Sequence, residues 1–101
     1  MKLRSLEAFV ASVEAGSIGR AAYILGIGQP ALSALLNRFE RELGVRLLIR
    51  SQVGVAPTVE GRELYPKAVE MLLDLRALRA RVSSASEPRP ARARLSIVTS
   101  T

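Results

Sequence analysis

The sequence predicts a mainly α-helical domain that carries one short β-hairpin and ends in a long helix. Nearly half of its 101 residues are apolar (49%), but only four are aromatic. Burial must therefore come from Leu, Ile, Val and Ala, which suits packed helices better than a β-sandwich. Apolar residues recur at the three- and four-residue steps of an α-helix, and glycines mark the ends of these runs. This length fits one small domain with an appended element.

The first two predicted helices are short. Apolar residues at helical spacing predict the first over residues 3–15, and Gly16 can end it in the left-handed conformation. Ser17 is a good N-cap for a second helix, because its side-chain oxygen can accept a hydrogen bond from a free backbone N–H of the first turn. Gly26 can close this helix and open a turn to the next one.

The third predicted helix begins at Gln29 and Pro30 and ends at Gly44. Proline fits the first turn of a helix, where its missing N–H costs no intrahelical hydrogen bond. The apolar residues of this helix recur at steps of four and three and are expected to face the core; they are Leu32, Leu36, Phe39 and Leu43. The outward side is small or polar and holds Gln29, Ala31, Ser33, Ala34, Asn37, Arg38 and Arg41.

A short hairpin and a long helix follow. Residues 45–50 are rich in branched side chains and precede a glycine turn, which predicts two short strands around Gly54. Thr58 then suits an N-cap position, with Glu60 placed favourably against the helix dipole. The last helix is expected over residues 59–86.

The last helix carries a narrow apolar seam that repeats in steps of four and three. Its members are Leu64, Ala68, Met71, Leu75, Leu78 and Val82, with Leu72 beside them. Such a seam packs either on the helix's own domain or against a partner helix in a dimer. From Leu64 to Val82 it spans about 27 Å at helical rise, more than a small domain can cover, which favours the dimer. Pro66 removes one backbone hydrogen bond within the run and predicts a kink or a late helix start.

The final residues differ in composition from the rest. Residues 87–94 are polar and contain two prolines, which predicts a hinge. Residues 95–101 have the pattern of a single strand with no sheet to join. We therefore expect them to be the first strand of a second domain, most of which is missing from this sequence.

The composition excludes several classes of function. The chain has no cysteine and no histidine, which removes thiolate and imidazole metal sites, disulfides, cysteine nucleophiles and histidine-based acid–base catalysis. No other cluster suggests catalysis, so no enzyme is predicted. No run approaches the roughly 18 apolar residues of a membrane span, and the N-terminus lacks the apolar core of a signal peptide. A cytoplasmic protein without membrane contact is therefore expected.

The net charge of +6 is compatible with a nucleic-acid partner but decides little. Basic residues exceed acidic ones by three in residues 1–58, by one in 59–86 and by two in 87–101. A solvated surface explains this modest and distributed balance about as well as a phosphate-binding one. The indication of a DNA partner must come from the order of the elements.

Two short helices joined by a glycine-containing turn form a helix-turn-helix, expected here at about residues 18–37. This unit places its second helix in the major groove of DNA, where residues near its N-terminus reach base edges. The hairpin that follows would be the wing. The predicted fold is a winged helix-turn-helix of three helices and a short β-hairpin over residues 1–58, followed by a long dimerising linker helix.

Residues 1–58 resemble the LysR-type transcriptional regulators. The matching residues keep one order without gaps and comprise Leu3 to Phe9, Glu14 to Ser17, Ala21, Ala22, Leu25, Gln29 to Ser33, Glu40 to Leu47, Arg50 and Thr58 to Gly61. The resemblance implies a sequence-specific regulator that binds an inverted-repeat operator as a dimer or tetramer. It also implies antiparallel dimerisation through the linker helix, a small-molecule effector for the missing C-terminal domain, and RNA polymerase as a further partner. No cofactor is expected in the present residues.

The resemblance also assigns roles on the DNA. The residues expected to face the major groove are Gln29, Pro30, Ser33 and Asn37. Gln29 would bond an adenine edge, and Pro30 or its neighbour would contact a thymine methyl group. Ser33 and Arg38 would meet phosphates, and Arg50 would approach the minor groove or its phosphates. The full set predicted to bind DNA is Arg20, Gln29, Pro30, Ala31, Ser33, Ala34, Asn37, Arg38, Arg50 and Ser51.

Some positions depart from the family's usual residues. Gly28 stands where Ser is usual, so the recognition helix loses its side-chain cap, which costs roughly a few tenths of a kcal/mol. Gly19 replaces Ser or Thr, and Ala34 and Leu35 replace residues that are frequently polar or basic. Because the recognition helix offers few polar groups, we expect apolar contacts and DNA shape to carry more of its specificity.

Two other functions stay open beside sequence-specific DNA binding. The helix-turn-helix could serve protein–protein contact, or the chain could be an unrecognised hydrolase or transferase. DNA binding would weaken steeply with salt and survive an excess of nonspecific DNA. The enzyme would need a catalytic dyad built without histidine or cysteine.

Overall fold

The computed structural model describes residues 2–86 of the chain. Over this range the elements are α1 (Leu3–Ala15), α2 (Ile18–Leu25), α3 (Gln29–Leu43), β1 (Leu48–Ser51), β2 (Gly54–Pro57) and α4 (Val59–Ser86). The prediction of three helices, a short hairpin and a long final helix is confirmed. The predicted hinge at 87–94 and strand at 95–101 lie outside the described residues.

The core lies where α1, α2 and α3 meet. Phe9 of α1 and Phe39 of α3 are fully buried, and the centroids of their tilted rings are 6.1 Å apart, a spacing typical of favourable aromatic pairs. Ala21 and Ala22 are buried beside them, and their small side chains let α2 come close. Leu43, which was predicted to face the core, is exposed because it is the last residue of α3 and lies at the end of the packed face.

The hairpin of β1 and β2 is antiparallel, with Arg50 opposite Val55. Val55 N donates a hydrogen bond of 3.0 Å to Gly16 O, so the hairpin packs against the turn between α1 and α2. Gly54 has a φ of 138°, and a methyl group on its Cα would lie 2.5 Å from Gly16 O. This position therefore needs glycine for both its backbone conformation and its close packing.

α4 begins at Val59 with Thr58 as its N-cap, as predicted. Thr58 Oγ1 accepts a hydrogen bond of 3.0 Å from Gly61 N and donates one of 2.7 Å to Arg46 O. The helix is continuous through Pro66, so the predicted late start is wrong. The hydrogen bonds of Thr58 fix the first turn well ahead of the proline, which removes one helical hydrogen bond without ending the helix. The kink at this position stays a prediction.

The first half of α4 packs on its own domain. Ala68 is fully buried and Leu72 is 7% exposed, and both belong to the core. In the single chain this face of the helix covers α1 as the chain leaves the hairpin, and the place of both residues in a dimer interface stays a prediction. Tyr65 Oη donates a hydrogen bond of 2.6 Å to Glu14 Oε2, which ties α4 to α1 and raises the pKa of Tyr65 above its ordinary value.

The rest of the apolar seam lies nearer the surface. Leu78 is 53% exposed, Val82 is 61% exposed and Met71 is also exposed, whereas Leu64 and Leu75 are half-buried. α4 is 28 residues long, and its residues 76–83 are exposed on every side. Its second half thus extends past the domain that covers its first half. Between residues 2 and 86, no helix is both long and apolar enough to cross a membrane.

Candidate nucleic-acid interface

α2, the turn at Gly26 and α3 form the helix-turn-helix. Ile27 N donates a hydrogen bond of 3.0 Å to Ala22 O, which closes the turn. Arg4 Nη2 of α1 donates a hydrogen bond of 3.1 Å to Leu25 O and satisfies a carbonyl at the C-terminal end of α2. These hydrogen bonds fix the turn after α2 and tie the end of α2 to α1, while one long side of α3 stays uncovered.

The uncovered side of α3 carries most of the residues predicted to contact DNA. The exposed residues on it are Gln29, Pro30, Ala31, Ala34, Asn37 and Arg38, and Ser33 is half-buried among them. Apart from Gln29, small and apolar side chains fill its first turns, and the guanidinium groups of Arg38 and Arg41 follow. Arg20 on α2 and Ser51 on β1 are exposed as well, but on flanking elements. The first turns of α3 therefore offer mainly apolar contact, and its charged side chains lie further along the helix.

The start of α3 has no side-chain cap. Gly28 is the N-cap residue, with extended backbone and no side-chain hydrogen bond, and Pro30 follows in the first turn. A methyl group on Gly19 of α2 would lie 3.3 Å from Gln29 Nε2, which is closer than ordinary van der Waals contact. Glycine at position 19 thus leaves room for the amide of Gln29 beside α2.

Glu40 joins α3 to the wing. The residue is only 8% exposed, and its Oε2 accepts hydrogen bonds of 2.7 Å from Leu47 N and 3.1 Å from Leu48 N. Arg46 Nε lies 3.6 Å from Oε2, and Arg50 Nη2 lies 3.9 Å from Oε1. A buried carboxylate needs such partners to offset its lost hydration. Here the partners fix the path of the chain from α3 into β1.

Sequence reasoning missed this role of Glu40. One signal was present, because Glu40 follows Leu36 by four residues and so shares the buried face of α3. A carboxylate on that face must find donors inside the protein. Its donors are backbone N–H groups of β1 and of the segment before it. Helical spacing alone does not predict which distant segment will supply them.

Arg50 folds back onto α3. Its Nη2 donates a hydrogen bond of 3.0 Å to Asn37 Oδ1, and its side chain is 27% exposed. The oxygens of Asn37 and Glu40 attract the guanidinium in this structure, and the approach of Arg50 to the minor groove stays a prediction. Residues 51–57 have no charged side chain, and Val53 at the tip is 98% exposed. The wing thus ends in a small uncharged tip.

The side chains of this surface are suited to binding a partner through hydrogen bonds, apolar contacts and charge. It offers the amides of Gln29 and Asn37, one hydroxyl, apolar side chains and several guanidinium groups. Among the described residues, no group of three His, Cys, Asp or Glu side chains could hold a metal ion. Hydrogen bonds and apolar contacts to a grooved, anionic partner are what these groups can supply.

Comparisons with known proteins identify the family. Residues 3–62 match the model of the bacterial regulatory helix-turn-helix proteins of the lysR family. The chain is 41% identical over 78 residues to the small neutral protease regulatory protein of Streptomyces coelicolor, covering 77% of this chain and 24% of that protein. It is 47% identical over 72 residues to the HTH-type transcriptional regulator BudR of Raoultella terrigena, covering 71% and 25%. The chain spans about a quarter of the length of these relatives.

Solved structures extend this match to the whole of the described fold. The protein chain in the crystal structure of the BenM_DBD/catB site 1 DNA complex is 36% identical to this chain. The two superpose with a TM-score of 0.82 over 88% of this chain and 100% of that one. The CbnR_DBD-DNA complex is 32% identical with a TM-score of 0.79, covering 86% and 100%. The relatives are transcription regulators, in agreement with the prediction that the chain is not an enzyme. The chain belongs to the lysR family of bacterial regulatory helix-turn-helix proteins.

Proposed function

We propose that this chain is the DNA-reading end of a transcription regulator and binds double-stranded DNA sequence-specifically, with α3 in the major groove and the wing on the flanking backbone or minor groove. The observation that carries the proposal is the uncovered side of α3, which holds most of the predicted contact residues on one face. The similarity of the fold to proteins solved in complex with DNA supports it.

The proposed roles follow from chemistry and position on the surface. Gln29, at the first turn of α3, would bond an adenine edge, and Pro30 would contact a thymine methyl group. Ser33 and Arg38 would meet phosphates. The flanking contacts would come from Arg20 at the start of α2 and from Ser51 and Val53 on the wing, with Ala31 and Ala34 adding apolar contact in the groove.

Selection from a library of random duplexes tests this function. The chain should enrich an inverted repeat, and the affinity for that repeat should fall steeply with salt and survive an excess of nonspecific DNA. No enrichment and no binding at any salt concentration would refute the proposal. That result would favour a helix-turn-helix used for protein–protein contact.

Gln29→Ala should remove base preference at one position of each half-site, by roughly 5- to 150-fold, because a good amide–base contact discriminates by about 1–3 kcal/mol. Arg38→Ala is the matched contrast on the same helix. It should weaken binding to all sequences alike and lower the slope of affinity against salt by about one ion. Equal losses for both variants on every duplex would contradict the assigned roles.

We also propose that the chain forms a homodimer through α4. The exposed part of the seam at Met71, Leu78 and Val82, with half-buried Leu75 among them, supports this proposal, since an apolar stripe with this spacing packs well on a second helix. For the longer protein we propose a cytoplasmic regulator, active as a dimer or tetramer. In it a C-terminal domain binds a small-molecule effector, and RNA polymerase is a further partner.

Leu78→Glu should dissociate this dimer at micromolar concentration, because the charge would have to be buried in the seam. Leu78 is half exposed in the single chain, so the fold should be retained. Ala77→Glu is the control, since it adds the same charge one residue earlier, about 100° around the helix. Sedimentation velocity measures both variants. An unchanged dimer for Leu78→Glu would place the interface elsewhere.

A further inference from the structure

The contact between Arg50 and Asn37 bears on which base α3 can read. We propose that Arg50 occupies the side-chain oxygen of Asn37 and leaves Asn37 as a hydrogen-bond donor toward DNA, so that this position selects guanine or thymine. The inference rests on the proposed function, because it requires α3 to lie in the major groove. It makes Arg50 a positioning residue for base recognition in place of a direct DNA contact.

The geometry defines which end of the Asn37 amide faces the arginine. Arg50 Nη2 lies 3.0 Å from Asn37 Oδ1. A guanidinium group has five N–H donors and no acceptor, so only the oxygen of the amide can bond to it. Asn37 is exposed on the uncovered side of α3. Its Nδ2 group, with two N–H donors, is therefore the end available to a base.

Two further contacts keep Arg50 in this position. The residue lies on β1 opposite Val55, so the hairpin register sets where its side chain starts. Its Nη2 is also 3.9 Å from Oε1 of the buried Glu40. The Arg50 side chain is 27% exposed, and its guanidinium lies between two oxygens of α3. It would lose both contacts if it reached out to a phosphate.

The contact with Arg50 disfavours the usual recognition of adenine by the Asn37 amide. That recognition needs both ends of the amide, since the oxygen accepts from adenine N6 and the nitrogen donates to N7. Because Arg50 holds that oxygen on the side of the hairpin, the Nδ2 donors are the groups that Asn37 turns toward a base. In the major groove, guanine presents N7 and O6 as acceptors and thymine presents O4. Cytosine presents an amino donor there, which the Nδ2 donors of Asn37 do not match.

The test compares base preferences in duplexes selected from a random library by the 101-residue chain and three variants. Arg50→Met removes the donors and frees the Asn37 oxygen. Arg46→Met is its matched control, because Arg46 is the other arginine beside Glu40 and its Nε lies 3.6 Å from Oε2. Asn37→Asp keeps an oxygen for Arg50 and replaces the donor with a second acceptor. Thermal unfolding of each variant checks the fold.

The wild-type chain and Arg46→Met should prefer guanine or thymine at one position of each half-site, by about fivefold or more. Arg50→Met should shift that position toward adenine. Asn37→Asp should shift it toward cytosine or adenine, whose amino groups it can accept from, and this variant decides the matter if Arg50→Met does not fold. An unchanged preference in Asn37→Asp, or the same shift in Arg46→Met as in Arg50→Met, would overturn the inference. If the wild-type chain enriches no sequence, the proposed function itself fails.

Discussion

Glu40→Ala should lower the free energy of unfolding by about 3 kcal/mol, although Glu40 is not a member of the apolar core. The substitution leaves the backbone N–H groups of Leu47 and Leu48 without their acceptor. An unsatisfied buried donor costs about 1–3 kcal/mol. Arg50 would also lose a partner, but its partial exposure to water reduces that loss. Urea or thermal unfolding at fixed protein concentration measures the change.

Two further substitutions make this prediction specific. Glu40→Gln should cause a smaller loss of stability than Glu40→Ala. The neutral amide still offers one oxygen to the backbone donors, but it turns an N–H₂ group toward Arg50. Glu42→Ala removes an exposed carboxylate from the same helix and should change stability by less than about 0.5 kcal/mol. A loss for Glu40→Ala no larger than that for Glu42→Ala would show that the carboxylate does not hold the wing.

Gly61→Ala should be about as damaging, with a loss of about 3 kcal/mol. The first turn of α4 passes so close to the chain before β1 that a methyl group on Gly61 would collide with the Leu47 carbonyl oxygen and also lie 3.1 Å from Pro57 Cβ. The same carbonyl accepts a hydrogen bond of 3.0 Å from Thr58 N. The helix would therefore have to move off the hairpin and weaken this contact. Overpacking at such contacts costs about 1–3 kcal/mol or more.

Gly28→Ala is the control for Gly61→Ala. A methyl group on Gly28 would meet only Pro30 Cδ, at 3.7 Å, which is ordinary contact. The thermal midpoint should fall by roughly 12–24 °C for Gly61→Ala, because about 1 kcal/mol corresponds to about 4–8 °C in a domain of this size. For Gly28→Ala it should fall by only about 5 °C or less, since the methyl group meets no close contact and alanine is merely a poorer N-cap than glycine. Similar midpoints for the two variants would mean that α4 adjusts to the methyl group without cost.

The elements of this fold were predictable because their ends are marked locally. Ser17 and Thr58 cap the helices that follow them through contacts within three residues. Gly16 ends α1 in the left-handed conformation. Such signals depend on the residues next to them and little on the rest of the fold. For the same reason, the predicted bounds of the first three helices agree with the structure.

Contacts between distant parts of the chain could not be predicted in the same way. The seam of α4 repeats evenly in sequence, yet the domain buries Ala68 and Leu72 and leaves Leu78 exposed. Periodicity identifies an apolar face but not which neighbour covers each part of it. Arg50 shows the same limit, because its partners Asn37 and Glu40 lie on another element. A charged residue's direction depends on oxygens that only the assembled fold brings near.

The length of α4 also bears on how far apart two operator half-sites can be. In the proposed antiparallel dimer, each winged helix-turn-helix domain, here called the head, is joined to the N-terminal end of its α4. The length over which the two helices overlap therefore sets the distance between the two heads. A slip of one heptad changes the separation of the heads by roughly 10 Å, or about three base pairs at 3.4 Å each. It would also turn the second half-site by roughly a third of a helical turn, away from the face that the head can reach. Side chains of α4 that never touch DNA would thereby decide which spacing of half-sites is bound.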